Sequence, residues 1–262
     1  MNIDDAMRLY LDTADELAPG LVEGLYVVGS FALADWHEGR SDIDIVAVTA
    51  EPATDEDASA LASLHRQLAE IMPGTNVDGP YLAWGDLVVP PATGLHRPWS
   101  LDGELRHDGE CFEISPVTWY TLATYGVPVR GPRREVLDVA VDTEALIRFV
   151  TDNLRSYWIG VANEVRAAVA TSGDAPTFRQ ASFEWCTLGA LRLHYTAFTG
   201  DVTSKRGAGE YGLQIAPDRF HDALGAALSI RAGTPVEVGG ALALDSAELI
   251  MWCVGDVTDH MR

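Results

Sequence analysis

Apolar and polar positions alternate with two different periods in the first half of the chain. Apolar residues recur at helical spacing over residues 3–18 and 58–71, and short apolar runs typical of strands cover 25–28, 43–48 and 77–84. Helical and strand-like segments therefore follow one another in turn. This order predicts a sheet with helices packed on it.

The third strand-like run and the segments after it are less regular. Gly79 and Pro80 are poor residues for a central strand, so we expect this run to be an edge strand or to contain a bulge. Residues 90–111 are rich in Pro, Gly, His and Asp, which indicates a long loop. We expect a further strand at 112–115 and a helix at 116–125.

The pattern changes after a break at residues 126–132, which contains Pro and Gly. From there on the periodicity is helical, and the expected helices cover about 142–170, 177–198, 217–231 and 244–260. The sequence thus predicts an α/β (α+β) domain with a mixed sheet over residues 1–132, followed by an all-helical domain over 133–262. A cleft between the two would be a natural ligand site.

The chain is strongly acidic. Its 262 residues include 39 Asp and Glu against 18 Lys and Arg, which gives a net charge of −21. Binding to nucleic acid needs a basic footprint, so this charge argues against a nucleic-acid partner. An acidic surface would instead attract a polycationic small molecule. Plain solubility explains the same charge equally well.

Other features of the composition indicate a cytoplasmic protein. The hydrophobic fraction is 47%, yet no apolar run reaches the ~18 residues of a membrane span. The N-terminus is acidic and has no signal-peptide pattern. Cys111, Cys186 and Cys253 are far apart and form no CxxC motif, which argues against a disulfide framework or a zinc site. We expect a cytoplasmic monomer with no membrane partner.

The candidate chemistry is concentrated around Gly29-Ser30 and Asp42-Ile43-Asp44, on either side of a short spacer. Residues two apart on a strand point to the same face, so Asp42 and Asp44 direct two carboxylates to one place. Such a pair repels unless a cation lies between, and hard oxygen ligands suit Mg²⁺. Gly29 allows close backbone approach and Ser30 offers polar groups to a phosphate. Each half alone is ordinary turn chemistry, but together they predict nucleotidyl transfer.

Gly29-Ser30 followed by Asp42-Ile43-Asp44 resembles the nucleotidyltransferase superfamily related to DNA polymerase β. Within it, the chain is most similar to the aminoglycoside adenylyltransferases that modify streptomycin and spectinomycin, over most of its length. The resemblance implies transfer of AMP from ATP, with Mg²⁺ held by the two aspartates and the triphosphate held beside the Gly-Ser turn.

The resembled family takes a third carboxylate from a later strand. The matching position is Asp78, where the related enzymes tend to carry Glu. Asp78 could accept the proton of the attacking hydroxyl, or it could be a third metal ligand beside Asp42 and Asp44. Glu113 is the alternative third carboxylate. An Asp-Gly turn would explain Asp78 without any function.

A second similar segment lies in the helical half, between residues 191 and 209. In the resembled family an Arg on the helix and a Lys after the turn hold the nucleotide phosphates, and Arg192 and Lys205 fall on those places. Arg can grip phosphate bidentately, whereas Lys acts as a point charge. A salt bridge between the two domains is the alternative role of Arg192.

The resemblance also implies that acidic and aromatic residues near this helix bind the ammonium groups of the drug. Glu184 and Trp185 are the candidates, and a solvated Glu and a core Trp are the alternative explanations. Trp99 and Asp102, in the expected long loop, could also line the drug pocket.

Motif and resemblance together lead to one main hypothesis. The protein would be an Mg²⁺-dependent adenylyltransferase that moves AMP from ATP to a hydroxyl of an aminoglycoside or aminocyclitol and thereby confers resistance. The alternatives are a nucleotide-binding regulatory module, or a nucleotidyltransferase that acts on another small-molecule or protein hydroxyl.

Overall fold

The computed structural model describes residues 1–91, 94–171 and 177–261, which belong to two compact units, Met1–Asp142 and Thr143–Arg262. The expected boundary lies after residue 132, earlier than the division in the structure. The added residues stay with the first unit because Leu137 and Val139 pack on its core and the Ala140 N–H donates a hydrogen bond to the Leu87 carbonyl (2.8 Å).

The first unit is built on a mixed six-stranded sheet, as the sequence predicts. The strands in spatial order are β5-β4-β3-β2-β1-β6; β2 and β3 run parallel and the other neighbouring pairs antiparallel. Their bounds are β1 Gly24–Val27, β2 Ile43–Thr49, β3 Val77–Ala83, β4 Trp99–Leu101, β5 Glu104–Arg106 and β6 Val127–Arg130.

Helices cover both faces of this sheet. They are α1 Ile3–Leu17, α2 Gly29–Ala32, α3 Asp55–Ile71, α4 Trp84–Leu87 and α5 Pro116–Tyr125. Apolar residues of α1 and α3 share one core with β2 and β3, and Trp119 and Leu122 of α5 share another with the opposite face. Helix α3 begins three residues earlier than expected because Thr54 and Asp57 form a capping box at its start.

Several expectations for the first unit are wrong. The expected loop over residues 90–111 contains the β4–β5 hairpin, whose turn residues Asp102 and Gly103 both have positive φ (54° and 73°). Asp-Gly is a preferred pair for such two-residue turns. Residues 112–115 form a turn and bends rather than a strand. The expected break at 126–132 contains β6, which pairs with β1 despite its Pro.

Strand β3 lies in the interior of the sheet, not at its edge. It pairs with β2 on one side and with β4 on the other. Gly79 makes this possible, because its φ is +143° and a Cβ there would lie only 1.9 Å from the Ile45 carbonyl oxygen. A glycine therefore lets the two strands approach where another residue could not.

The second unit is helical, as expected. Its helices are α6 Thr143–Asn153, α7 Ile159–Thr171, α8 Gln180–Thr199, α9 Lys205–Ile215, α10 His221–Arg231 and α11 Gly240–His260, with a π-helical stretch at Leu154–Trp158. Helix α8 packs against α6, α9, α10 and α11. Across the residues that the structure describes, we find no helix with the length and apolar character needed to cross a bilayer.

Helix α9 lies outside the helices expected from the sequence because it contains three glycines, which disfavour helix. Two of them serve packing. A Cβ at Gly209 would come within 2.6 Å of Leu228, and one at Gly212 within 2.7 Å of Leu191. Close contact with α8 and α10 thus replaces intrinsic propensity as the reason for this helix.

Candidate active site

Asp44 and Asp78 lie side by side on the face of the sheet that α5 covers. The two residues are register partners on the parallel strands β2 and β3. Along β2, Ile45 belongs to the core under α1 and α3, whereas Val46 packs with Trp119 of α5. Asp44 alternates with Ile45 and therefore points to the α5 face, and its register partner points the same way.

Hydrogen bonds hold the Gly29-Ser30 turn directly against Asp44. The Ser30 N–H donates to Asp44 Oδ2 (3.3 Å), and the Val28 N–H donates to the Asp44 carbonyl oxygen (2.8 Å). Gly29 has a φ of +54°, and a Cβ there would lie 1.8 Å from Asp44 Oδ2. Position 29 must therefore be glycine if Asp44 is to occupy this place. That the turn also holds phosphate stays a prediction.

Asp78 is supported by the tip of the β4–β5 hairpin. The N–H groups of Asp102 and Gly103 donate to its two carboxylate oxygens (3.1 and 3.0 Å). Burial raises the pKa of Asp78 to about 6; the negative charges of Asp42 and Asp44 act in the same direction, and the two N–H donors oppose the rise. Asp102, which we expect in the drug pocket, thus acts on Asp78 through its backbone.

Glu113 joins the same group of charges. It lies in the turn before α5, and burial raises its pKa to about 8, with the charges of Asp44 and Asp78 adding to the effect. We call Asp42, Asp44, Asp78 and Glu113 the carboxylate cluster. Asp42 is exposed and directly precedes β2. The two candidates for the third carboxylate, Asp78 and Glu113, therefore lie in one cluster.

The donor set of this cluster fits a hard divalent cation, since all its ligands are oxygens and their mutual repulsion would be relieved by positive charge. As placed, however, the described residues contain no group of three or more His, Cys, Asp or Glu side chains that could hold a metal ion. Both Asp78 oxygens accept hydrogen bonds from the hairpin N–H groups, and the binding of a metal ion by Asp42, Asp44 and Asp78 together stays a prediction.

Trp99 lies in a strand rather than in the expected loop. It lies in β4 opposite Pro80 of β3 and is only 5% exposed. Phe112 packs edge-on against its ring (5.3 Å between centroids), and the Arg106 guanidinium lies 5.2 Å from the ring centroid. Trp99 is therefore largely packed between neighbouring side chains, and its role in the drug pocket stays a prediction.

In the second unit, Arg192 and Lys205 are linked through the α8–α9 connection. The Arg192 Nε–H donates to the Thr203 carbonyl oxygen (3.2 Å), two residues before Lys205. Ser204 caps α9 by accepting the Gly207 N–H (3.1 Å), which makes Lys205 the first residue of that helix. The two expected phosphate ligands thus belong to one local structure.

Glu184 is not a solvated carboxylate. Its Oε1 atom lies 3.4 Å from Lys205 Nζ and 3.5 Å from an Arg231 nitrogen. Sequence reasoning missed Arg231. The signal was available, because Arg231 follows Ala227 by four residues and Leu224 by seven and so falls on the buried stripe of α10. A charge in that stripe needs a partner.

Trp185 belongs to a group of aromatic rings beside Glu184. It stacks on Trp158 with 4.7 Å between ring centroids, and Tyr157 packs edge-on against it at 6.2 Å. Gly189 is required below the stack, since a Cβ there would come within 2.3 Å of the Trp158 ring. Trp185 remains 36% exposed, so it is not a fully buried core residue.

Comparison with known proteins concerns the part of the first unit that contains the Gly29-Ser30 turn and the aspartates. Residues 7–78 match the family model of the nucleotidyltransferase domain, a range that includes Gly29, Ser30, Asp42, Asp44 and Asp78. This chain carries a nucleotidyltransferase domain. This match supports a transferase, and it confirms the nucleotidyltransferase resemblance drawn from the Gly-Ser and Asp-x-Asp motifs.

The fold of the chain is similar to that of a solved enzyme. Spectinomycin adenyltransferase AAD(9) from Enterococcus faecialis, in a structure with ATP and spectinomycin, matches 97% of this chain and 100% of its own with a TM-score of 0.70, at 15% identity. A toxin-antitoxin structure with AMP-PNP covers 61% of this chain and 98% of its own at 15% identity, with a TM-score of 0.31, which supports no argument. No curated protein matches the sequence.

Proposed function

We propose that the protein transfers AMP from ATP to a hydroxyl group of an aminoglycoside or aminocyclitol antibiotic of the streptomycin or spectinomycin type, with pyrophosphate leaving. The observation that carries this proposal is the register of Asp44 and Asp78 beside the Gly29-Ser30 turn, inside a nucleotidyltransferase domain. The likeness to an adenyltransferase solved with ATP and spectinomycin supports the choice of both substrates. Transfer to such a drug would confer resistance.

The reaction is a displacement at phosphorus. The acceptor hydroxyl oxygen attacks the α-phosphorus of ATP and forms a new P–O bond, while the bond from this phosphorus to the oxygen that bridges to the β-phosphate breaks. Pyrophosphate leaves with the electron pair of that bond. Asp42 and Asp44 would hold Mg²⁺, which supplies neutralisation of the phosphate charge and alignment of the entering and leaving oxygens.

A carboxylate must take the proton of the attacking hydroxyl. We assign this role to Asp78, because two backbone N–H groups fix its carboxylate next to Asp44 in the register of the sheet. Glu113 is the second candidate, since the negative charges of Asp44 and Asp78 contribute to raising its pKa. Replacement of each by its amide separates the two: the true acceptor loses the chemical step, whereas the other residue changes it less.

The basic residues of the helical unit would hold the phosphates. Arg192 and Lys205 lie on one connection between α8 and α9, and a triphosphate in a chain of net charge −21 needs such local cations. The acidic surface would favour a cationic acceptor over nucleic acid. The exposed face of Trp185 offers such an acceptor a ring for cation–π contact. We infer that the protein works as a cytoplasmic monomer, where its three buried cysteines stay reduced.

The test is incubation of the full chain with Mg-ATP and a panel of aminoglycosides and aminocyclitols, followed by mass spectrometry. A gain of one AMP on spectinomycin or streptomycin, lost in Asp44→Asn, supports the proposal. No gain on any antibiotic, together with ATP binding that these drugs do not affect, contradicts it and points to another acceptor or a binding module.

A further inference from the structure

Ser100 of β4 places a fully buried hydroxyl beside the backbone of Asp78. The residue is 0% exposed, and it is the register partner of Gly79 on β3. Its Oγ–H donates to the Val77 carbonyl oxygen (2.9 Å), and the Gly79 carbonyl oxygen lies 3.4 Å from the same Oγ atom. One hydroxyl therefore bridges the two carbonyl groups on either side of Asp78.

This hydroxyl occupies a place that a regular antiparallel ladder gives to a backbone N–H. Partners that exchange hydrogen bonds recur at every second residue along such a ladder, and the Tyr81 N–H, which donates to the Pro98 carbonyl oxygen (2.9 Å), sets the series here. Further along the two strands, the same series would direct the Asp102 N–H to the Val77 carbonyl oxygen. That N–H donates instead to Asp78 Oδ2 (3.1 Å). The serine hydroxyl therefore replaces it at the carbonyl.

We propose that the Ser100 hydroxyl positions Asp78 for the transfer reaction, because it satisfies the Val77 carbonyl and leaves the N–H of the hairpin turn to the carboxylate. This inference rests on the proposed function, in which Asp78 takes the proton of the attacking hydroxyl, and adds a residue that acts only through another. A buried carbonyl without a donor costs free energy. Without the serine hydroxyl, the Asp102 N–H is therefore drawn back to the carbonyl.

The exchange matters because two donors fix a carboxylate better than one does. The Asp102 and Gly103 N–H groups bind different oxygens of Asp78 (3.1 and 3.0 Å), so rotation of the carboxylate breaks at least one hydrogen bond. A proton acceptor must lie within hydrogen-bond reach of the attacking hydroxyl, and a displacement of about 1 Å can cost about a hundredfold in rate. Loss of one donor should lower kcat and change nucleotide binding little.

Ser100→Ala removes the hydroxyl without adding volume. We expect kcat for AMP transfer to fall about ten- to a hundredfold, while the KM for ATP stays within about twofold of the wild-type value, since the chemical step and not binding is impaired. Steady-state kinetics of the full chain with Mg-ATP and the accepted antibiotic measure both constants. An unchanged kcat, or a loss expressed in KM alone, overturns the inference.

Thr49→Val is the matched control. Thr49 at the end of β2 is 1% exposed, and its hydroxyl also bridges two backbone carbonyl groups, those of Glu51 (2.7 Å) and Leu82 (3.2 Å). We expect kcat to stay unchanged, because Leu82 lies at the other end of β3 from Asp78. If Thr49→Val lowers kcat as much as Ser100→Ala does, loss of any buried hydroxyl in the sheet explains the effect and the inference is wrong.

A second pair of variants separates the hydroxyl from the volume of the side chain. Ser100→Thr and Ser100→Val add similar volume, but only the first keeps a hydroxyl. The kcat of Ser100→Thr should be about tenfold higher, the effect of about one hydrogen bond. Equal kcat values in the two folded variants contradict the inference. If neither variant folds at this buried position, the comparison of Ser100→Ala with the wild type decides.

Amide proton resonances of isotopically labelled protein test the exchange of donors without any activity. Asp78→Ala should shift the Asp102 amide proton strongly in the wild-type background, and at least about twofold less in the Ser100→Ala background. There the N–H already binds the Val77 carbonyl. The Gly103 amide proton should respond in both backgrounds, because its acceptor is Oδ1 in each. An Asp102 response of equal size in both backgrounds overturns the inference.

Failure of this inference is distinguishable from failure of the proposed function. If no antibiotic receives AMP but the Asp102 amide changes its acceptor in Ser100→Ala, the proposed transfer is wrong and the hydrogen-bond role of Ser100 stands. If AMP transfer proceeds and Ser100→Ala has the kcat of the wild type, the inference fails alone.

Discussion

The carboxylate cluster of the first unit and the group formed by Glu184, Lys205 and Arg231 in the second gather charge in opposite ways. The cluster brings four acidic residues together, and their repulsion adds to burial in raising the pKa values of Asp78 and Glu113. In the second group an acid lies within ion-pair distance of two bases. The first arrangement gains from an added cation, whereas the second already contains an internal counter-ion. We therefore expect changes in the cluster to alter catalysis most and a change at Lys205 to alter nucleotide affinity.

The largest effect should come from Asp44→Asn. We expect transfer activity to fall about a thousandfold, since a carboxylate that organises charge at the reacting phosphate is removed. Stability should stay the same or rise, because one of the repelling charges is gone. AMP transfer by mass spectrometry and thermal unfolding measure the two effects. Asp12→Asn, an exposed Asp on α1, is the control and should be neutral. Retained activity in Asp44→Asn would rule out a metal role for the cluster.

Gly29→Ala should come next, because its Cβ would collide with the Asp44 carboxylate. We expect a loss of about 2–3 kcal/mol in the free energy of unfolding and a large loss of transfer. Gly39→Ala is the matched control: Gly39 has a φ of +73°, yet no atom lies within 4 Å of the added Cβ. Urea unfolding of both variants separates backbone strain from collision. Equal losses would show that Asp44 does not require glycine at position 29.

A smaller effect is expected for Lys205→Ala. The KM for ATP should rise roughly tenfold with a smaller change in kcat, since the lost contact is to phosphates that remain bound through the reaction. Arg148→Ala removes a charge from an exposed pair with Glu144 in the same unit and should leave KM unchanged. An ATP dependence like that of the wild type would remove Lys205 from the site.

The smallest expected effect is on the pH dependence of the free energy of unfolding. Because the pKa of Glu113 rises from 4.5 to about 8 in the folded protein, the folded state keeps a proton that the unfolded chain releases. Stability should therefore fall as pH rises from about 4.5 through about 8. Glu113→Gln should flatten this slope and be more stable at pH 8 by at least about 1 kcal/mol. Glu110 is exposed, so Glu110→Gln should leave the slope of stability against pH unchanged. Urea unfolding across this range is the measurement, and an unchanged slope in Glu113→Gln would contradict the coupling.

The sequence was sufficient where the chemistry is local. Gly29-Ser30 and Asp42-Ile43-Asp44 lie within sixteen residues, and alternation along β2 alone places the second Asp on one face. Sequence-based prediction failed where the interacting residues are distant from one another along the chain. The support of Asp78 by the turn at Asp102, the pairing of β6 with β1 and the packing of α9 on α8 all depend on contacts that no local pattern encodes.

Arg231 and Glu113 illustrate two limits of local sequence information. Arg231 was detectable as a charge in an apolar helical stripe, but its partner Glu184 lies on another helix. The sequence offers Glu113 as a candidate carboxylate but predicts it in a strand, which is wrong because the segment is a turn that leads into α5. Its place near Asp44 follows from tertiary structure alone.

The hairpin tip reaches Asp78 through peptide N–H groups rather than through side chains. Exchange of Asp102 for Asn or Gly, which also tolerate positive φ, would preserve those amides. An inserted or deleted residue would carry the amides away from the carboxylate. Evolution, or a laboratory library, can therefore vary the chemical character of this tip freely within such residues, while its length is constrained.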